Sequence, residues 1–175
     1  MLSAWRKHPA PRLLLVLVLA AFITACGFQL RGFIQLPDEL QPLQVEATGS
    51  ARGLGQTLTR QLEQSGIAVT SSASEAQLRL VLTELQSEER QVVFGIVEEY
   101  EIQLSLQATA RDTQGETLFS DEAFQAQRQY RYNSEEDSLL ARDSLRAELK
   151  TAMQDDLIRQ LTLRIQALEN RIDQP

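Results

Sequence analysis

Glu99-Tyr-Glu-Ile-Gln-Leu-Ser-Leu-Gln-Ala-Thr-Ala-Arg111 is the stretch that decides the fold. Tyr100, Ile102, Leu104, Leu106, Ala108 and Ala110 occupy every second position, and Glu99, Glu101, Gln103, Ser105, Gln107, Thr109 and Arg111 lie between them. Neighbouring side chains on a strand point to opposite faces, so this alternation predicts a strand with one buried and one polar face. A strand over residues 97–111 would reach ~50 Å, longer than most. It is therefore expected to project beyond a compact core.

The flanking sequence supplies partners for that strand. Asp112-Thr-Gln-Gly115 is a turn, with Gly where a positive φ is needed. The next strand is expected over residues 116–132, with Phe124, Ala126, Tyr130 and Tyr132 on one face. Upstream, Leu78, Leu80 and Leu82 alternate with Arg79, Val81 and Thr83, and Ser87 to Gly95 is expected to be the hairpin tip. The tip contains Val92, Val93, Phe94 and Ile96, an apolar group unsuited to a solvated turn; it is read as a contact for a partner or a lipid chain, or as a hairpin folded back on its own core.

Two helices complete the layers. Leu54, Leu58 and Leu62 recur every fourth residue, and Gly66 suits a left-handed C-terminal cap, which places a helix over residues 51–65. Thr48-Gly-Ser50 offers its N-cap, and Gly53 and Gly55 weaken its first turn. Residues 43–47 and 67–70 read as short strands. From Leu145 through Leu149, Met153, Leu157, Leu161, Ile165 and Leu168 to Ile172, apolar residues lie three or four apart, so one long helix is expected over residues 138–172, opened by Ser134 and Asp137. The expected fold is α+β: two layers, a mainly antiparallel long-stranded sheet with two helices packed on one face.

The N-terminus carries a different signal. Arg6, Lys7 and Arg12 precede an eleven-residue apolar run, Leu13 to Ile23, which is too short to span a bilayer as a helix. Residues 1–25 read as a cleaved signal peptide. Ile23-Thr24-Ala25-Cys26 resembles a bacterial lipobox, in which small residues enter a peptidase cleft and the thiol takes a diacylglycerol. The alternative is a buried structural Cys. Residues 26–42, with Gly27, Gly32, Pro37 and Pro42, read as an extended, lipid-anchored tether to a single domain over residues 43–172. Gly27 rather than Asp follows the Cys, which by analogy with bacterial lipoproteins favours the outer membrane, with the chain held on the periplasmic side of its inner leaflet.

Composition narrows the chemistry. The whole chain has a formal net charge of −7. Without residues 1–25 it keeps 14 of its 17 basic residues and all 24 acidic ones, a balance of −10 that disfavours nucleic acid. The sole His, His8, also leaves with the signal peptide. That removes His-based triads and the common zinc sites, and no phosphate-binding loop is present, so no cofactor and no metal are expected. The acidic pairs Glu88-Glu89, Glu98-Glu99 and Glu135-Glu136 are sequential and should diverge on a strand, which argues against a two-carboxylate hydrolase. No enzyme is expected.

Cys26-Gly-Phe-Gln-Leu-Arg-Gly32 resembles the N-terminus of the LPS-assembly lipoprotein LptE family, in which C-G-[FW]-x-L-R follows the lipobox. Glu99-Tyr-Glu-Ile102 is similar to that family's E-Y-x-[ML] entry into a long strand, and Leu140-Ala-Arg-Asp143 to its L-A-[KR]-[DE] opening of the last helix. The resemblance implies a plug within the LptD outer-membrane β-barrel that helps the barrel assemble and takes part in delivering lipopolysaccharide. It also implies basic contacts for lipid A phosphates. Arg142 matches the family's basic position; Arg146 and Lys150 continue its stripe at i+4 and i+8, and Arg90 lies near the tip. A solvated stripe paired with nearby acids is the alternative. Gly95 after Phe94 departs from the family's basic contact at the tip. The competing function is a lipoprotein adapter or pilotin for another envelope machine.

Overall fold

The computed structural model describes residues 36–133, 135 and 137–172. The chain divides into two units, Met1–Phe33 and Ile34–Pro175, and every described residue belongs to the second. Ile23, Thr24, Ala25, Cys26 and Ser134 lie outside the described residues.

Strand β1 (Leu43–Ala47), helix α1 (Arg52–Gln64), strands β2 (Leu78–Val93), β3 (Val97–Asp112) and β4 (Thr117–Asn133) and helix α2 (Leu139–Ile172) follow in that order. They form one sheet in the order β1-β2-β3-β4. β1 runs parallel to β2, and the other pairings are antiparallel. The sheet is thus mixed, because α1 carries the chain back to start β2 at the same end as β1. Both helices cover one face and meet each other, where the Gln61 amide donates to Asp155 Oδ1 at 3.2 Å.

The core lies under α1 and the C-terminal part of α2. Leu78, Leu80 and Leu82 of β2, Ile102, Leu104 and Leu106 of β3, and Phe119 and Phe124 of β4 are buried against Leu54, Leu58, Leu62, Met153, Leu157, Leu161 and Ile165. Burying a leucine fully contributes ~1.5–3 kcal/mol, so this half of the sheet holds most of the apolar driving force.

Several expectations need correction. The hairpin tip is not residues 87–95: β2 continues to Val93, leaving residues 94–96 as the turn. Residues 67–70 form no strand; Val69 makes one isolated bridge to Leu43. In the described part of the expected tether, Leu36 and Leu40 are buried and residues 38–40 make a 3-10 turn. The Thr48–Ser50 segment provides no side-chain cap for α1. Ser50 Oγ instead accepts the Leu85 N–H at 3.0 Å.

That last bond marks a β-bulge. Leu82 pairs with Ala108, but Glu84 pairs with Gln107, so Thr83 is an extra residue. A single extra residue reverses which side chains face inward. Before it Leu78, Leu80 and Leu82 face the helices; beyond it Leu85, Ser87, Glu89 and Gln91 share the face of Leu106, Leu104, Ile102 and Tyr100.

Candidate functional site

The bulge places Glu89, a residue from a run of charges, beneath the start of α2. Here the aliphatic core gives way to aromatic rings, and all three tyrosines of the chain cluster on the helix-covered face. Tyr100 and Tyr130 are cross-strand partners whose rings stack at 5.3 Å between centroids and 13° between planes. The Arg142 guanidinium, from the first turn of α2, lies 4.8 Å from the Tyr100 centroid and 5.3 Å from that of Tyr132. Tyr130 Oη donates to Glu89 Oε1 at 2.6 Å, and Tyr100 Oη donates to Glu98 Oε2 at 2.6 Å. Arg146 reaches Glu89 Oε2 and Asp143 Oδ1, each at 3.4 Å.

The electrostatics follow from these contacts. Burial, then the bond to Glu89, pushes the Tyr130 phenol up to about 12, since both disfavour a phenolate beside a carboxylate. The bond to Glu98, then burial, raises Tyr100. Burial acts to lower Arg142, but the Tyr100 and Tyr130 phenols and the Glu89 carboxylate outweigh it and raise the pKa. Arg142 Nε is buried and has no hydrogen-bond partner.

The opposite, helix-free face of the sheet is organised around Glu101. Its carboxylate accepts Arg90 Nε at 2.7 Å and the Gln129 amide at 3.1 Å, and it also accepts the Gln127 amide. Those bonds, with that from Gln129 foremost and that from Arg90 next, lower the Glu101 pKa. An open hollow of about 420 Å³ beside it is lined by Glu88, Glu89, Arg90, Glu101 and Gln103.

The end of the sheet is apolar. Val92, Val93, Ile96 and Val97 are exposed, and Phe94 is 78% exposed at the turn. Asn133 pairs with Val97, and Asp137 bonds back to Asn133, so the start of α2 sits at this same end. Leu139 and Leu140 there are 68% and 77% exposed. The tip therefore does not fold back on its own core.

The four expected basic contacts do not converge. Arg142 and Arg146 lie on the helix side, among tyrosines and acids. Lys150, one turn further on, is half-buried and forms no ion pair among the described residues. Arg90 is on the far face, bound to Glu101. What the sequence reading missed is what surrounds Arg142: the Tyr100–Tyr130 stack, Tyr132 and Glu89. One signal was present, since the apolar spacing slips from Leu82 to Leu85, three residues instead of two.

Among the described residues no group of three His, Cys, Asp or Glu side chains is arranged to hold a metal ion, and no helix is long and apolar enough to cross a membrane. The sheet thus combines a polar face, an apolar tip and a ring-and-charge cluster, without a catalytic or metal-binding group among the described residues. Solved structures share the fold: lipoprotein B from Nitrosomonas europaea superposes with a TM-score of 0.65 at 22% identity, covering 82% of this chain and 93% of that one. A minor lipoprotein from Acinetobacter baumannii gives 0.58 at 22% identity, covering 74% and 91%.

The family is fixed by sequence. Residues 40–165 match the model of the LptE, lipopolysaccharide-assembly, family, and the chain belongs to it. Relatives named LPS-assembly lipoprotein LptE include one from Yersinia enterocolitica, 34% identical over 101 residues, 55% of this chain and 49% of that protein. Another from Pectobacterium atrosepticum is 35% identical over 99 residues, 54% of each chain. The chain thus spans about half the length of the curated relatives it matches. The family is one of assembly proteins, not enzymes.

Proposed function

We propose that this chain is an outer-membrane lipoprotein, anchored through Cys26 on the periplasmic side, that plugs the LptD β-barrel, helps it assemble and takes part in delivering lipopolysaccharide. The observation that supports this reading is the projecting half of the sheet. Its helix-free face is polar and rich in Gln, as suits a water-filled lumen, and its end is exposed and apolar. In this reading Val92, Val93, Phe94 and Ile96 contact the barrel. Arg142, Arg146 and Lys150 face the lipid A phosphates along one side of α2, and Arg90 offers a separate contact on the open face.

The test is purification of the tagged chain from outer membranes in mild detergent, followed by mass spectrometry of what remains bound. One large barrel protein at one-to-one stoichiometry, with lipopolysaccharide, is the expected result. Recovery alone, or with a secretin, overturns the plug and leaves the pilotin reading. Arg146→Glu should weaken lipopolysaccharide binding about tenfold, the effect of losing one charge-assisted hydrogen bond; unchanged binding would remove the phosphate role and spare the plug.

A further inference from the structure

We infer that the first ten residues of α2, residues 139–148, form a strap that opens from the sheet as a unit while the rest of α2 stays packed, and that Arg142 is its clamp. The first observation is burial. No side chain in residues 139–148 is buried; Leu149 is the first residue of α2 to touch the core, and Met153 the first to be buried in it. Some three turns of helix therefore add no buried side chain of their own to the core that stabilises helices in proteins; what they cover is the tyrosine rings of the sheet.

The second observation is how few side chains hold the strap down. Of these residues, only Arg142 and Arg146 are even half-buried. Arg142 covers Tyr100 and Tyr132, and Arg146 reaches Glu89 at 3.4 Å with one guanidinium nitrogen while another reaches Asp143 of its own helix. Partly exposed ion pairs at such distances contribute little. The cation–π contacts of Arg142 are thus the main attachment. Lys would replace it only in part, since an ammonium keeps the attraction to the ring but lacks the flat surface that stacks on it.

The third observation is a cost that opening relieves. Arg142 Nε is buried with its N–H unpartnered in the closed arrangement, and water satisfies it once the strap lifts. A weakly packed segment with an unsatisfied donor at its only strong contact is suited to local opening. Opening uncovers the stacked rings of Tyr100 and Tyr130 next to the exposed tip.

Hydrogen exchange read by mass spectrometry on the full chain in mild detergent tests this without barrel or lipopolysaccharide, so its outcome is independent of the proposed function. The amides of residues 139–141 lack backbone helical acceptors, and they are left out together with that of the substituted residue 142. In the unaltered chain, amides of residues 143–148 should exchange about a hundredfold faster than those of residues 157–168. Arg142→Ala should speed residues 143–148 by about another tenfold and leave residues 157–168 within about twofold, and Arg142→Lys should fall between Arg142→Ala and the unaltered chain. Uniform protection along α2, or a variant that speeds the whole helix alike, would show one cooperative unit and overturn the strap. Unchanged exchange in Arg142→Ala would overturn the clamp. The amides of residues 157–168 report whether each variant has folded.

Discussion

One sheet carries two chemistries. In its first half the sheet presents Leu78, Leu80 and Leu82 of β2 to the helices in a carbon core, with ion pairs such as Arg164–Glu122 at its β4 edge. Past the bulge the same strand presents Ser87, Glu89 and Gln91, and the helix above it answers with Arg142 and Arg146. The first half is held by area removed from water, which is non-directional and large. The second is held by ring stacking, cation–π contact and hydrogen bonds, each smaller and each dependent on geometry. One inserted residue, Thr83, separates them. The comparison teaches that stability and function can share a strand: the packed half fixes the direction in which the polar half projects.

The largest effect that tests this contrast should come from Leu80→Ala. Leu80 is fully buried, and the truncation should cost ~2–5 kcal/mol in urea unfolding. Gln86→Ala, six residues on along the same strand, removes an exposed amide bonded to Glu84 and should stay within about 0.5 kcal/mol. Equal losses at the two positions would mean that the projecting half packs as tightly as the core.

An intermediate effect is expected at Tyr130, where the polar half can be probed by pH. Its phenol titrates near 12 in the fold against an ordinary 10.0, so the folded state binds more protons between those values. Stability that this group supplies is then fully present below about pH 10 and is lost as pH rises toward about 12. Tyrosinate absorbance should show one of the three tyrosines ionising last, and that late phase should vanish in Tyr130→Phe. The substitution should cost about 1 kcal/mol near neutral pH, the net value of one hydrogen bond. A late phase that survives the substitution would assign the raised group elsewhere.

The two halves were not equally legible in the sequence. Alternation over Tyr100–Ala110 and the spacing of Leu54, Leu58 and Leu62 each follow a single period, and both emerged as expected, buried on one face. Periodicity carries no information where packing stops, so alternation alone ends β2 early, and helical spacing counts Leu145 with the core although it is exposed. Taken locally, Ser50 suits a cap and Gly55 weakens a helix. Ser50 in fact accepts the N–H that the bulge displaces, and a Cβ at Gly55 would collide with the side chain of Ala47 on β1. Both roles are set by residues distant in sequence. The same holds for Arg142: its helix position was legible, but the rings beneath it come from two other strands.

The smallest effect on stability, and the sharpest division between the halves, is expected at the tip. Phe94 is as large a hydrophobe as Phe124, yet it is mostly exposed where Phe124 is buried. Phe124→Asp would place an unpaired carboxylate in the core. Phe94→Asp exchanges one solvated side chain for another, and removing an exposed ring should change unfolding free energy by less than about 0.5 kcal/mol. Circular dichroism and urea midpoints should be unchanged. If the tip meets the barrel, the same variant should lose the co-purifying barrel protein, because a charge in an apolar contact must be desolvated without a partner. A stability loss as large as that of Leu80→Ala would show that Phe94 belongs to the folded body and not to a surface kept for association. Intact folding together with full recovery of the barrel would leave the exposed ring unneeded for binding and shift the contact to Leu139 and Leu140, the only other strongly exposed leucines at that end of the described sheet.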